Sequence, residues 1–188
     1  MRIYDTEFSW NGTPDSRKST KYIIIHHRAG CGDVRGIHSG HLARGWIGIG
    51  YHFYVRRDGG IWRGRPISTV GAHCENYNCI SVGVCFEGNF ETDKITDAQL
   101  RAGRELISYL KTLYPGAEIR KHRDFAATAC PGKNFPFEEI KKGGCDVTIE
   151  EAVEMIQAKV GLEDETMDFL LCYKYGEELV LKIANALV

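Results

Sequence analysis

The sequence predicts a mixed α/β fold, in which helices flank a central β-sheet, followed by a small helical module at the C-terminus. Short apolar runs typical of buried strands are interspersed with amphipathic segments before residue 141, and only helical periodicity follows. At 188 residues and 43% hydrophobic content, the chain can bury one core and a small appendage. Strands interspersed with helices indicate a mixed α/β domain.

The first half of the chain carries the strand signals. Tyr22–His27 is a short β-branched apolar run, which predicts a buried strand. Residues 34–43 are compatible with a helix. Residues 51–56, an Asp-Gly pair and then Ile61-Trp62 predict a strand, a tight turn and a second strand. Ser81–Phe86 predicts another buried strand.

A long helix follows. Thr96 and Asp97 form its N-terminal cap, and Pro115-Gly116 ends it. Its apolar residues recur at helical spacing, namely Leu100, Leu106, Ile107, Leu110 and Leu113. Residues 141–144, Lys-Lys-Gly-Gly, then predict a hinge, so we expect a first domain over residues 1–142.

The C-terminal module is expected over residues 146–188. Thr148 and Glu151 form a capping box, which predicts a helix up to Gly161. Residues 166–175 predict a second helix, and apolar residues from Leu179 to Leu187 trace a third. So small a unit is near the lower limit of independent stability. We therefore expect it to dock on the rest of the chain or to form a homo-oligomer through its helices.

The net charge of −1 conceals an asymmetry. Residues 146–188 carry three basic and ten acidic groups, a balance of −7, so residues 1–145 carry +6. A basic first domain would be attracted to anionic surfaces, although scattered solvated charges explain the balance equally well. The modest charge and the lack of a recognised motif disfavour a nucleic-acid partner.

Targeting and redox signals are sparse. No apolar run approaches the roughly 18 residues of a membrane span. Met1 to Asp5 lack the basic-then-apolar pattern of a secretory leader, so we expect synthesis in the cytoplasm without a signal peptide. Seven cysteines are an odd number without the spacing of a disulfide framework.

Three side chains of metal-binding type stand out. His122 and Cys130 occur in one short stretch, and His26 lies near the end of an early strand. Two imidazoles and a thiolate suit zinc, and three protein ligands leave a fourth position for water, as in catalytic sites. His27 is adjacent to His26, and neighbours on a strand point to opposite faces, so only one of them can bind the metal. Strand geometry alone does not choose between them.

Several further motifs occur in the order typical of one family. They are residues 22–27, 45–53, 57–59, 71–73, 77–78, 81–84 and 128–132. From about residue 20 to about residue 140, the chain resembles the type 2 N-acetylmuramoyl-L-alanine amidases. This family includes T7-type phage lysozymes and peptidoglycan recognition proteins. The resemblance implies one Zn²⁺ per catalytic domain and peptidoglycan as the substrate. It also implies hydrolysis of the amide between the lactyl group of N-acetylmuramic acid and L-alanine.

The resemblance also implies roles for individual residues. It assigns the metal to His26, His122 and Cys130. Tyr51 matches a tyrosine beside the metal-bound water, where a phenol hydrogen-bonds the water or the developing oxyanion. Thr128 stands where phage lysozymes carry lysine and catalytic recognition proteins carry threonine, and its hydroxyl would support the oxyanion without positive charge.

Two more residues match positions along the wall of the substrate pocket. His73 and Asn78 would contact the muramyl group or the stem peptide, or would instead hold a loop in shape. The chain differs from some members of this family at the general base, because those members carry a glutamate at the position of Cys85. Glu87 lies two residues further along the same strand face, and we do not expect it to replace that base.

The resemblance implies a phage or prophage endolysin that lyses the bacterial cell wall, with the C-terminal module binding that wall. A helical tail that only packs is the alternative for the module. Binding of peptidoglycan without hydrolysis is disfavoured because such relatives typically lose the cysteine ligand, which is Cys130 here. A generic zinc peptidase is disfavoured by the absence of His-Glu-x-x-His. Contact with an RNA polymerase, known for a T7-type relative, has no support in this sequence.

Overall fold

A computed structural model describes residues 1–144 and 148–187. The chain divides into two compact units, Met1–Gly143 and Gly144–Val188. The expected start of the C-terminal module, residue 146, lies outside the described residues, as does its last residue, 188.

The first unit is built on a six-stranded sheet, which confirms the predicted mixed α/β fold. Its strands are β1 (Ile3–Tyr4), β2 (Tyr22–His27), β3 (Phe53–Val55), β4 (Ile61–Arg63), β5 (Ser81–Phe86) and β6 (Glu118–Lys121). The spatial order is β1-β4-β3-β5-β2-β6. Strand β2 lies parallel to both β5 and β6, and β3 lies parallel to β5 but antiparallel to β4. The carboxyl ends of β2, β3, β5 and β6 therefore share one edge, where open α/β sheets usually bind ligands.

Within the described residues, three α-helices accompany this sheet and three more form the second unit. They are α1 (Val34–Leu42), α2 (Asp97–Leu113), α3 (Phe137–Lys142), α4 (Ile149–Val160), α5 (Asp164–Leu171) and α6 (Gly176–Ala186). The predicted helices at 34–43 and after Thr96 are confirmed, with the Thr96 side chain accepting from the Gln99 N–H as the cap. No helix in the described ranges is long and apolar enough to cross a membrane.

The sheet has a packed core on each face because side chains alternate along every strand. On one face, Ile23 and Ile25 pack with α2 residues such as Leu106. On the other face, Tyr54 and Cys85 pack against α1. The alternation places His26 on the α1 face of β2 and His27 on the α2 face.

Some predicted boundaries were wrong. Helix α3 continues through Lys142, so the expected hinge begins only after it; its last carbonyls accept from the Lys111 ammonium group. Helix α5 begins at Asp164 and ends at Leu171, whereas residues 166–175 were expected. Residues 173–175 instead form the turn into α6, which begins at Gly176, where a Cβ would lie 2.0 Å from the Leu170 carbonyl oxygen. Strands β1 and β6 and helix α3 were not predicted.

The second unit is a three-helix cluster. Ala152, Ile156, Met167, Val180 and Ala184 form its buried core. The predicted capping box is confirmed, since the Thr148 and Glu151 side chains each accept from the other's backbone N–H.

Candidate metal centre and active site

His26, His122 and Cys130 come together at the shared carboxyl edge of the sheet. His26 lies near the end of β2 and is only 1% exposed. His122 directly follows β6, the strand beside β2, and the two imidazole centroids lie 4.4 Å apart. Cys130 reaches the same point from the loop after His122. The candidate ligand atoms of the three residues all lie within 4.8 Å of one another.

The two nitrogens of His26 face different neighbours. Nδ1 lies 3.9 Å from the Cys130 Sγ atom, and Nε2 lies 3.0 Å from Nδ1 of His73. His27 points to the opposite face, where its Nδ1 accepts the Phe90 N–H at 3.1 Å. The structure therefore gathers His26 with the other two candidate ligands and leaves the His27 ring outside the group.

The loop that carries Cys130 is held by short-range hydrogen bonds. The Arg123 N–H donates to the Cys130 carbonyl at 3.0 Å, and the Cys130 N–H donates to the Thr128 hydroxyl oxygen at 3.2 Å. The His27 N–H points at the Cys130 sulfur, 3.3 Å away. Gly132 has a φ of 104°, and a Cβ there would lie 2.3 Å from the Phe90 backbone. This glycine lets the loop approach the sheet closely.

The protonation states suit a metal ligand set. Burial, reinforced by His122, lowers the pKa of His26 well below its ordinary value, so its imidazole is neutral at pH 7. Burial likewise lowers the pKa of His122. Burial raises the pKa of the Cys130 thiol to about 11, although the His27 N–H and the positive charge of Arg123 act in the opposite direction. Two neutral imidazoles can bind Zn²⁺ directly, and the positive charge of the ion would favour loss of the thiol proton from Cys130. The three side chains therefore fit a zinc site.

Tyr51 lies beside this group. Its ring centroid is 5.2 Å from that of His26. Burial, then the Cys85 and Cys130 sulfurs, raise the pKa of Tyr51 well above its ordinary value, so the phenol stays protonated. Tyr51 and Cys85 are joined by a side-chain hydrogen bond. Cys85 thus contacts the tyrosine from the strand position where some relatives carry an acid.

The remaining predicted residues have different surroundings. The hydroxyl oxygen of exposed Thr128 accepts the Cys130 N–H. His73 is buried and contacts His26 through Nδ1, while its Nε2 lies 3.4 Å from the Ser81 hydroxyl. Asn78 accepts the His73 and Cys74 N–H groups through one oxygen, at 2.8 and 2.9 Å, which fits the loop-holding alternative. Substrate contact by His73 or Asn78 stays a prediction.

Glu87 does not face the candidate metal centre. Its carboxylate is buried and accepts the N–H groups of Gly32 at 3.0 Å and Arg57 at 3.0 Å. It therefore ties two loops together at the end of β5, in line with our expectation that it does not replace the base.

A small pocket of about 170 Å³ opens next to Tyr51 on the α1 side. It is lined by Arg28, Gly36, Ile37, Gly40, His41, Arg44 and Tyr51. The His41 Nδ1 accepts the Gly50 N–H at 3.0 Å, and burial lowers its pKa to about 4, so the positive charge comes from the two arginines. Arg28, His41 and Arg44 were not among the site residues predicted from the sequence. His41 and Arg44 are one helical turn apart at the end of α1, so their side chains lie on the same side. This spacing is the sequence signal that could have indicated the pocket.

Fold and site together define a mixed α/β hydrolase with a candidate His-His-Cys metal centre. Residues 16–133 match the family of N-acetylmuramoyl-L-alanine amidases. This match spans more than half of the chain, which therefore belongs to the N-acetylmuramoyl-L-alanine amidase family and is an enzyme of that class.

Phage endolysins are among its relatives. The chain is 40% identical over 124 residues to the endolysin of Klebsiella phage KP32, covering 61% of this chain and 82% of that protein. It is 38% identical over 125 residues to the endolysin of Escherichia phage T7, with the same two coverages.

Solved structures agree with this assignment. The N-acetylmuramoyl-L-alanine amidase LysC from Clostridium intestinale is 34% identical, with a TM-score of 0.72, over 87% of this chain and 99% of that one. Drosophila PGRP-LB is 30% identical, with a TM-score of 0.66, over 74% of this chain and 92% of that one.

Proposed function

We propose that this amidase is zinc-dependent and hydrolyses the amide between the lactyl group of N-acetylmuramic acid and L-alanine in peptidoglycan. The observation that carries the proposal is the convergence of His26, His122 and Cys130 ligand atoms within 4.8 Å at the carboxyl edge of the sheet. The three side chains would hold the ion, and the protein surface beside them would hold the substrate.

Zinc, when bound, supplies a Lewis acid and lowers the pKa of a water molecule from about 15.7 towards about 7. His26 and His122 contribute neutral imidazoles, so they bind without first losing a proton. Cys130 contributes a thiolate, whose negative charge adds affinity for the cation. The His27 N–H, 3.3 Å from that sulfur, would stabilise the thiolate.

Tyr51 would act on the substrate carbonyl. Its phenol keeps its proton and donates it in a hydrogen bond to the oxygen on which negative charge develops. A single donor of this kind is worth about 3 kcal/mol in the transition state. The Thr128 oxygen accepts the Cys130 N–H, which leaves its O–H available to donate to the same oxyanion. Thr128 is exposed, so this donor acts in contact with water and its contribution should be smaller than that of Tyr51.

The pocket beside Tyr51 would position the substrate. Arg28 and Arg44 face it with positive charge, and peptidoglycan stem peptides carry carboxylates that pair with guanidinium groups. His73 and Asn78 would border the same region, as the sequence resemblance implies.

The relatives that are phage endolysins support a role as a phage or prophage endolysin that acts on the cell wall. The helical unit after Gly143 would bind the wall or a second copy of the chain. A binding-only role, suggested by the names of the recognition-protein relatives, is the second candidate. The presence of all three candidate ligands favours hydrolysis.

Digestion of purified peptidoglycan tests the proposal. We expect new alanine amino groups without new reducing sugar ends, together with one zinc per chain by metal analysis. A His122→Ala variant should lose both the zinc and the product. Reducing ends would indicate a glycosidase, and saturable binding without product would support the recognition role.

A further inference from the structure

The pocket beside Tyr51 contains positive charge that no carboxylate of the described residues neutralises. Arg28 and Arg44 both line it, and neither guanidinium forms an ion pair within residues 1–144 and 148–187. The Arg44 guanidinium carbon lies 5.9 Å from the centre of the Trp46 ring, a contact that leaves its charge unpaired. The Nε atom of Arg28 is buried without a hydrogen-bond partner in the same part of the chain. A buried donor of a charged group that lacks an acceptor costs free energy, so an anionic ligand there would be stabilising.

Arg28 extends the strand that carries His26. Its N–H donates to the Phe86 carbonyl at 2.8 Å, so pairing with β5 continues one residue beyond the end of β2. Side chains alternate along a strand, which places Arg28 on the same face as His26, the face that packs against α1. Its guanidinium lies beside Gly30 and Gly32, where a Cβ would lie 3.3 Å from Nη1 and 3.4 Å from Nη2. The charge of Arg28 is therefore held on the face of the sheet that carries the candidate metal centre.

Helix α1 leaves room for a ligand in front of the arginines. Gly36 and Gly40 are one turn apart on this helix, and both line the pocket. A Cβ at Gly40 would have no atom within 4 Å, so the space at that point is open. His41 adds a third donor, because its Nδ1 accepts the Gly50 N–H and Nε2 then carries the proton of the neutral ring.

The size and position of the pocket select one group of the substrate. Its volume of about 170 Å³ is below the roughly 300 Å³ of pockets that enclose a whole small molecule, so it accepts one part of a larger substrate. Tyr51 lines the pocket and also lies beside His26, with ring centroids 5.2 Å apart. On the peptide side of the scissile amide, the first carboxylate belongs to the second stem residue, a D-glutamate linked through its γ-carboxyl group. Two extended residues span about 7 Å, which matches a pocket that shares Tyr51 with the candidate metal centre.

We propose that Arg28 and Arg44 bind the free α-carboxylate of the second stem residue, so that the enzyme prefers stems with D-isoglutamate over stems with its amide, D-isoglutamine. This specificity rests on the proposed function, which supplies the lactyl amide as the scissile bond. Guanidinium groups pair with carboxylates through their charge and their paired N–H donors. A carboxamide has nearly the same shape but no charge, and its own N–H donors would face the arginines. Amidation of this one group would therefore lower turnover.

Two soluble muropeptides test the proposal, one with the stem L-Ala-D-isoGlu-L-Lys and one with the stem L-Ala-D-isoGln-L-Lys. We expect kcat/KM to be about tenfold higher for the acid, chiefly through a lower KM, because the contact is remote from the reacting atoms. Arg28→Gln and Arg44→Gln should each remove most of this preference. Gly40→Leu, which fills the open space without changing the charge, should do the same.

Arg35→Gln is the matched control. Arg35 is an exposed arginine of α1 that does not line the pocket. Its substitution removes the same charge from the same helix and should keep the preference for the acid. Thermal unfolding and zinc content check each variant. Arg44 is exposed at the end of α1, so Arg44→Gln carries the test if Arg28→Gln is unfolded or loses zinc.

Binding of the free stem tripeptides separates this specificity from the proposed function. Calorimetric titration of the full-length protein with L-Ala-D-isoGlu-L-Lys or L-Ala-D-isoGln-L-Lys requires no hydrolysis, and we expect the acid to bind about tenfold more tightly. A protein that cleaves neither muropeptide but keeps this difference would lack the proposed activity and retain the carboxylate site. Three results would overturn the carboxylate site: equal kcat/KM and equal affinity for acid and amide, a preference unchanged in Arg28→Gln and Arg44→Gln, or an equal loss of preference in Arg35→Gln.

Discussion

His26 and His73 form a direct contact between their rings, with Nε2 of His26 3.0 Å from Nδ1 of His73. This contact directs the other nitrogen of His26 towards Cys130. A histidine that binds a metal usually has its second ring nitrogen held by a neighbouring group, which fixes the ring orientation and the tautomer. His73 is thus placed to orient His26, although the resemblance implied contact with the substrate.

We predict that His73→Ala lowers zinc affinity by about 10- to 100-fold, because the His26 ring loses the group that orients it. Competition with a calibrated chelator measures this affinity independently of turnover. Ser81→Ala is the matched control: the Ser81 hydroxyl donates to the Tyr77 carbonyl at 2.7 Å and approaches His73 only at 3.4 Å, so its loss should have little effect on zinc affinity. Equal zinc affinity in His73→Ala and the parent would contradict the orienting role.

Cys130→Ala should abolish stoichiometric zinc binding, since two histidines hold the ion far less tightly than two histidines and a thiolate. Cys74→Ala is the control, because Cys74 is also buried but is not in the candidate ligand group. Metal analysis after gel filtration distinguishes the two variants. Full zinc content in Cys130→Ala would remove Cys130 from the ligand set.

Tyr51→Phe should keep its zinc and its fold but lose about 100- to 1,000-fold in kcat, as expected for removal of one oxyanion donor. Cys85→Ala should cause a smaller loss, because Tyr51 loses a partner but keeps its hydroxyl. Steady-state hydrolysis of a soluble muropeptide measures both. A fully active Tyr51→Phe enzyme would transfer the role to another group.

Thr128 gives a related comparison within the same assay. Thr128→Ala removes the acceptor for the Cys130 N–H and should lower turnover only mildly, while Thr128→Ser keeps that acceptor and should behave like the parent. A loss in Thr128→Ala as large as that in Tyr51→Phe would indicate that both hydroxyls contact the oxyanion.

The free energy of unfolding should decrease as the pH falls from about 6.5 to about 3. His52 is fully buried, and burial lowers its pKa to about 3, whereas in the unfolded chain it takes up a proton below about 6.5. Within this window the unfolded state binds one more proton at His52, which costs about 1.4 kcal/mol of stability per pH unit. Stability from this residue is therefore complete above pH 6.5.

Urea unfolding at several pH values measures this slope. His52→Asn provides the comparison, because its amide oxygen can replace Nδ1 as the acceptor of the Gly83 N–H but does not titrate. The slope should be shallower in the variant, and the metal-site histidines contribute equally to both proteins. If the free energy of unfolding depended on pH equally in both proteins, His52 would take up its proton in the folded state.

The elements with strong local signals were predictable. Tyr22–His27 and Ser81–Phe86 are buried on both faces, so their apolar runs are continuous, and both were predicted with the observed bounds. Strand β6 was missed because it is an edge strand with three charged residues, and its place is set by pairing with β2. Helix α3 was missed because it has only six residues and no side-chain cap.

The sequence by itself determined the α/β class, the family and the types of side chain available for a metal. These follow from local patterning and from motifs whose order along the chain is specific in combination. Only the tertiary structure decided which groups meet. Parallel pairing of β2 with β6 brings His26 to His122, and the loop after His122 adds Cys130. The contacts of His73 with His26, of Cys85 with Tyr51 and of Glu87 with two loops join residues distant in sequence, and local patterning does not encode such distances.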